Sequence, residues 1–191
     1  MSSTLNPLFQ HFETYIPLST PLRQELESRI RIRSFKKGQL LHDAKYVCSE
    51  SHFIQKGLVR VFFEKDGKEI SEYFSAEGEW VNSPRSFMQQ QQDIYSIDAL
   101  EDTDTYCLQV RDLIYLFDHF PEMDRYSRLT MGILFGHFME RITSMRFTTA
   151  KEKYEHFRSV YHDICHRLPL GMIASYLGIT QETLSRIRAE K

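Results

Sequence analysis

Near the C-terminal end of the chain, Thr180, Gln181, Glu182, Ser185 and Arg186 recur at spacings that place them along one side of a helix. Their chemistry suits the edges of base pairs. A glutamine amide can pair with adenine N6 and N7, a glutamate can accept from cytosine N4, and an arginine can fork onto guanine O6 and N7. The two hydroxyls, on Thr180 and Ser185, suit phosphate oxygens better. Side chains of these types also make ordinary solvated helix faces, so the elements beneath them carry the argument.

Other residues with chemical potential are scattered. Cys48, Cys107 and Cys165 are odd in number and far apart, which suggests core thiols in place of a disulfide framework or a CxxC metal site. A cupin-like metalloenzyme would need histidines two apart beside a glutamate, and His42 and His52 stand isolated. His162 and Cys165 share a face of an expected supporting helix with no loop to make a cleft. No metal ligands and no catalytic residues are expected. A cupin-like metalloenzyme is the alternative that zinc analysis of the purified protein would decide.

The residues under the polar face read as two helices folded across a corner. Ile173, Ala174 and Leu177 form one apolar face, and Ile179, Leu184 and Ile187 form the next. Between them Gly178 is free to turn, and Thr180 supplies an N-cap oxygen to start the second helix. Ala174 is small where two crossing helices must nearly touch. This is the logic of a helix-turn-helix, with Gln181, Glu182, Ser185 and Arg186 on its outer surface.

At 191 residues and 41% hydrophobic content the chain can bury a core without staples. It has no apolar run near the ~20 residues of a membrane span, and MSSTLNPLFQHFETY lacks the build of a signal peptide. A cytoplasmic protein is expected. The formal net charge of −2 argues against a surface that coats nucleic acid throughout. Residues 148–191 nevertheless hold seven Lys or Arg against five Asp or Glu, while residues 1–147 hold seventeen against twenty-one. A weakly basic C-terminal module under an acidic body fits DNA binding limited to one site.

Residues 5–31 have helical spacing interrupted by Pro17 and Pro21. From Ile32 to Leu108 the period becomes two, with strands expected at Ile32–Phe35, Leu40–Leu41, Ser51–Lys56, Leu58–Glu64, Glu69–Phe74, Tyr95–Ala99 and Thr103–Leu108. Asp66-Gly67 marks a hairpin turn. Six or seven short strands without intervening helices imply an antiparallel sandwich or barrel. The expected fold class is α+β: a jelly-roll-like double-stranded β-helix with flanking helices, a long helix, and a small C-terminal helix-turn-helix domain.

Pro121–Phe147 carries more apolar face than one barrel can cover, and a helix of ~27 residues would run about 40 Å. A second copy of the same helix is its natural partner, through Leu129, Ile133, Phe138 and Ile142, with Gly132 and Gly136 allowing close approach. Thr149 and Glu152 then have capping-box spacing, so a supporting helix should start near Ala150 and end before Pro169. The expected divisions are a sensor domain at 1–120, a dimerisation helix at 121–147 and a DNA-binding domain at 148–191.

In this order of parts, and in FKKGQLL (Phe35–Leu41), FIQKGLVRVFF (Phe53–Phe63), ALEDTDTYCL (Ala99–Leu108) and IASYLGITQETLSRIR (Ile173–Arg188), the chain resembles the Crp/Fnr superfamily of bacterial transcription regulators. The ITQETLSRIR form resembles its Bacteroidetes-type branch. The resemblance implies a homodimer on double-stranded DNA with RNA polymerase as a further partner; between the long helix and the C-terminal module a hinge is expected near Phe147–Thr149. Gln181, Glu182 and Arg186 fall on its base-reading positions. It also implies a cyclic-nucleotide cassette at about Trp80–Ser96, where a Gly-Glu pair would hold ribose and an Arg-Ser pair the cyclic phosphate. Here Asn82-Ser83 and Asp93-Ile94 stand at those places, and Arg85 is the cassette's one cation.

cAMP in the usual mode is therefore not expected. The pocket, lined by Tyr73, Phe74, Val81, Asn82, Ser83, Arg85, Phe87, Asp93 and Ile94, would take an unidentified small-molecule effector or none. Three scattered cysteines cannot supply an iron–sulfur cluster. The remaining alternative is a cyclic-nucleotide-type sensor that acts by protein contact without DNA. With Lys191 three residues beyond Arg188, no β-wing is expected to follow the second helix.

Overall fold

The computed structural model describes residues 5–146 and 149–190. Two short helices, α1 (Asn6–Glu13) and α2 (Thr20–Arg29), lead into the strands. Pro17 lies within the break between them, and Ser19 restarts the helix by accepting the Leu22 amide at 3.4 Å. Eight strands follow: β1 (Arg31–Phe35), β2 (Leu40–His42), β3 (Glu50–Lys56), β4 (Val59–Lys65), β5 (Lys68–Ser75), β6 (Trp80–Val81), β7 (Tyr95–Ala99) and β8 (Thr103–Gln109). They form two antiparallel four-stranded sheets ordered β1-β8-β3-β6 and β2-β7-β4-β5.

Period-two patterning assigns each side chain to one of two cores. Ile54, Val59, Val61, Val81 and Ile97 fill the space between the sheets. The opposite face of β3 and β8, with Phe53, Tyr106 and Leu108, packs on α1 and α2 and on the helices after the barrel. Asp66 (φ 53°) and Gly67 (φ 71°) make the tight β4–β5 turn that their dipeptide announces. Two elements depart from the expectation. β6 has two residues, too few to show alternation. A one-and-a-half-turn helix, α3 (Pro84–Gln89), occupies the cassette, so the glutamine run contributes one residue to a helix before Gln90 turns left-handed at φ 51°.

α4 (Val110–His119) leads to α5 (Pro121–Ser144), 24 residues and about 36 Å long. α5 buries Met123 and Tyr126 against the barrel, where Tyr126 Oη lies 2.8 Å from His11 Nε2. Beyond that turn its apolar residues face outward. α5 stops at Ser144, short of the expected Phe147, and Phe147 and Thr148, with most of the expected hinge, lie outside the described residues.

α6 (Ala150–Val160) begins with the expected capping box: Thr149 Oγ1 accepts the Glu152 amide at 3.1 Å, and Glu152 accepts the Thr149 amide at 3.0 Å. It ends at Val160, before Pro169. Tyr161 leaves helical geometry to pack edge-on against Phe74 and Tyr176, and a short 3-10 turn at Cys165–Arg167 completes the connection. His162 and Cys165 are consequently not on a helix together; His162 is exposed beside Asp163. α7 (Leu170–Leu177) and α8 (Gln181–Ala189) end the described chain.

Candidate nucleic-acid interface and barrel pocket

α7 and α8 meet at a corner built as the spacing requires. Gly178 caps α7 at φ +67°, a conformation an L side chain rarely adopts. Thr180 caps α8 by accepting the Thr183 amide at 3.2 Å. Ile173, Ala174, Leu177 and Leu184 are buried in the corner, together with Tyr154 and Phe157 of α6. Gly171 leaves room for the side chain of Gln181, whose Oε1 would lie 3.3 Å from a Cβ at that position. Thr180, Gln181, Glu182, Ser185 and Arg186 are all exposed on the outer side of α8, with Arg188 beside them. The structure thus brings the residues expected to meet bases and phosphates together on one exposed side of α8.

The corner is fastened to the barrel. Phe74, Ala76, Leu58 and Leu100 share one apolar core with α6, α7 and α8. Arg167 reaches two barrel carboxylates at once: NH1 and NH2 donate to Glu77 at 2.8 and 3.0 Å, and Nε and NH2 donate to Glu101 at 3.1 and 2.7 Å. These hydrogen bonds hold Glu77 down to about 2 and Glu101 below the usual carboxylate range. Ser175 of α7 accepts the Ser71 amide at 3.0 Å and donates to the Glu69 carbonyl at 3.1 Å, both on the edge strand β5. Arg141 of α5 stacks on Tyr176, 3.7 Å from the ring centre, and donates to the Tyr176 carbonyl at 2.8 Å.

In the barrel, the residues expected at the pocket separate. Arg85, Asp93 and Ile94 border one open cleft with Ala44, Gln92 and Tyr95. Val81 and Tyr73 pack in the inter-sheet core, where the Tyr73 hydroxyl donates to the Asn82 carbonyl at 2.9 Å. Phe87 and Ser83 are buried, and Asn82 donates to Ser51 Oγ at 3.0 Å. Phe74 does not face the pocket: it lies on the opposite side of β5, edge-on to Phe157 and Tyr161. The alternation of β5, which also turns Tyr73 inward, decides this. Asp93 is the centre of the cassette. Its carboxylate accepts from the Ser83 hydroxyl, from the Ser86 amide at 3.0 Å in the first turn of α3, and from the Tyr95 amide at 3.0 Å. Arg85 turns toward Gln89, at 3.4 Å, and is exposed.

One grouping escaped the sequence reading. The β3–β8 register sets His52 opposite Cys107, and Glu50 stands two residues before His52 on the same side of the strand. The ligand atoms of Glu50, His52 and Cys107 all lie within 4.8 Å of one another. His52 Nδ1 is 3.1 Å from Thr105 Oγ1, and Nε2 is 3.9 Å from Glu50 Oε2. Burial pushes His52 down to about 4 and Cys107 up to about 12. Glu50 is pushed up by burial but falls below its ordinary value because Arg33 donates to it at 3.2 Å. The signal available in sequence was the Glu-x-His alternation of one strand. Its partner cysteine, more than fifty residues on, is visible only once the register is known.

Residues 32–120 match the family described as the cyclic nucleotide-binding domain. No curated protein matches the sequence. Among solved structures, the chain is similar to a protein from Eubacterium rectale assigned to the Crp/Fnr family of transcriptional regulators, at 18% identity and a TM-score of 0.70 over 93% of this chain and 87% of that one. FixK2 from Bradyrhizobium japonicum is similar at 17% identity and a TM-score of 0.68, over 84% and 83% of the two chains. A CooA mutant from Carboxydothermus hydrogenoformans is similar at 18% identity and 0.68, over 86% and 77%. The shared fold spans barrel, long helix and corner, and no helix among the described residues is long and apolar enough to cross a membrane.

Proposed function

We propose that the chain is a Crp/Fnr-type transcription regulator that reads DNA as a homodimer. The observation that carries this reading is α8: a capped helix at the end of a glycine-turned corner, with Gln181, Glu182, Ser185, Arg186 and Thr180 all on its free side. Gln181 and Arg186 offer bidentate pairs to adenine and guanine, Glu182 an acceptor for cytosine N4, and the hydroxyls bind phosphate. The sensor spans 1–120, the segment that holds the dimerisation helix α5 (Pro121–Ser144) spans 121–147, and the reader spans 148–191. The dimer follows from α5, where Leu129, Ile133, Phe138 and Ile142 are exposed and Gly136 has open space beside it. An apolar stripe of that length in water calls for a partner, and a second α5 matches it in length and character. Such a regulator works in the cytoplasm, and RNA polymerase is its partner if it activates.

The barrel does not take cAMP in the usual mode; it holds an unidentified small-molecule effector or none. Asp93 places a carboxylate against the first turn of α3, with two amides and a hydroxyl already donated to it. A cyclic phosphate arriving there would meet a filled and negatively charged seat. Melting at millimolar cAMP should therefore leave Tm unchanged, whereas occupancy at 100 times Kd would add about 2.7 kcal/mol.

DNA reading is tested by selection from random oligonucleotides. The expected outcome is a two-fold symmetric site with half-sites about one helical turn apart. Arg186→Ala should relax the preference at one position by about 1–3 kcal/mol while leaving dimerisation intact. Failure to enrich any site, or unchanged preference in Arg186→Ala, defeats the assignment.

A further inference from the structure

We propose that Glu50, His52 and Cys107 form a binding site for a thiophilic divalent cation of the zinc type on the inner wall of the barrel. Three different ligand chemistries, carboxylate, imidazole and thiol, converge from two paired strands with their ligand atoms within 4.8 Å of one another. Tetrahedral zinc, with bonds of about 2.0–2.3 Å, needs its ligand atoms about 3.3–3.7 Å apart. Side-chain rotations of about an ångström close the difference, and the Nε2–Oε2 pair is already at 3.9 Å.

The groups that orient these ligands are in place as well. With the Nδ1 proton of His52 donated to Thr105 Oγ1 at 3.1 Å, Nε2 is left with its lone pair for a metal. Arg33 and Gln109 approach Glu50 Oε1, at 3.2 and 3.5 Å, which orients the carboxylate with Oε2 toward His52. His52 and Cys107 are buried, so the pair is shielded from bulk water, while Glu50 remains partly open to solvent and gives an ion a way in. On binding, the Cys107 S–H proton leaves to solvent and the thiolate takes the metal; together with the Glu50 carboxylate this balances the two positive charges. A mixed S, N, O set selects a borderline-soft ion over magnesium or calcium, which prefer oxygen ligands alone. Three protein ligands leave a fourth position facing the barrel interior. His42 is close enough to His52 for their charges to interact, and its Nε2 is buried with no hydrogen-bond partner among the described residues.

The full chain, stripped with a chelator, would be titrated with Co(II) and then Zn(II). Supporting results are one Co(II) per chain, a thiolate-to-cobalt charge-transfer band with tetrahedral ligand-field absorption, and displacement by zinc. Cys107→Ser should abolish the band and weaken zinc by about 100-fold or more, whereas Cys48→Ser and Cys165→Ser should keep both. Thr105→Val should weaken zinc by about 10-fold through loss of the imidazole's support. Should Cys107→Ser fail to fold by circular dichroism, Glu50→Gln at the pocket rim supplies the same test, with zinc weakened and the fold kept. No stoichiometric binding, a band that survives Cys107→Ser, or unchanged affinity in Glu50→Gln overturns the site. None of these readings involves DNA, so the metal site and the DNA-reading assignment can fail separately.

Discussion

Replacing Arg167 with alanine removes the one side chain that joins the residues before α7 to two barrel carboxylates. Four N–O contacts of 2.7 to 3.1 Å are lost. The guanidinium is 21% exposed, but the carboxylates of Glu77 and Glu101 are 42% and 38% exposed, so solvent screens much of the attraction. Between about 1 kcal/mol for an exposed pair and about 3 for a charged hydrogen bond out of water, a discounted value of about 2 kcal/mol is appropriate. For a chain of this size that lowers Tm by about 4–8 °C. The pH dependence separates charge from packing. Glu77 is held down to about 2 first by its hydrogen bonds to Arg167. A depressed carboxyl stabilises above the unfolded-state value of about 4.3, and the stabilisation drains away as pH falls toward the folded value. The wild-type lead over Arg167→Ala in thermal melting should therefore be full at about pH 7 and cut to about half by pH ~3. An equal lead at both pH values would mean that Arg167 acts through its aliphatic stem, and no lead at pH ~7 would refute the clamp altogether.

Ile133→Glu should convert a two-chain particle to one chain in sedimentation while leaving the circular dichroism spectrum intact, because Ile133 is 46% exposed on α5 and touches nothing the barrel needs; a wild type that already sediments as one chain, or a variant that still pairs, would remove α5 as the interface. Gly57→Ala should cost about 3–5 kcal/mol in urea unfolding, since Gly57 sits at φ +112° and a Cβ would fall 2.3 Å from Thr103 Oγ1 and 2.8 Å from its Cα. A loss below about 1 kcal/mol would show that the β3–β4 turn relaxes freely.

What the sequence revealed and what it hid divide along physical lines. Local signals were legible: the Asp66-Gly67 turn, the Thr149/Glu152 capping box, and the Gly178–Thr180 corner each depend on a few neighbouring residues whose chemistry has one structural use. The outer face of α8 followed, because helical spacing alone decides which side chains escape the Ile173–Leu184 contact. Most hidden features depend on partners distant in sequence. Phe74 reads as a pocket residue until the docking of α6 and α7 on β5 shows that its side of the strand is claimed by Phe157 and Tyr161. That α6 stops as early as Val160 shows only once Tyr161 is seen drawn into that same aromatic group. Asp93 could be identified as a foreign residue in the cassette. That its carboxylate would accept from Ser83, Ser86 and Tyr95 could not, because α3 was not foreseen.

The contact between the barrel and the C-terminal helices has a particular construction at β5. As the last strand of its sheet, β5 has one edge of backbone donors and acceptors with no neighbouring strand, a liability in any exposed sheet. Ser175 covers part of that edge: its hydroxyl takes the Ser71 amide at 3.0 Å and gives its proton to the Glu69 carbonyl at 3.1 Å, so one side chain of α7 stands in for a strand partner. Ser71 is buried, and its own hydroxyl oxygen has no hydrogen-bond partner among the described residues. Ser175→Ala would strand the Ser71 amide as well, at a cost of about 1–3 kcal/mol for a buried donor left unpaired. Tyr176 remains pinned by Arg141, so α7 should stay docked and the loss should appear locally. Amide hydrogen exchange at Ser71 should then accelerate in Ser175→Ala by one to two orders of magnitude, about 10- to 100-fold, while exchange in the β4–β7 ladder is unchanged. If Ser71 exchanges at the wild-type rate, the bond is not what closes the β5 edge; if β4 accelerates equally, α7 stabilises the whole sheet and not its edge alone.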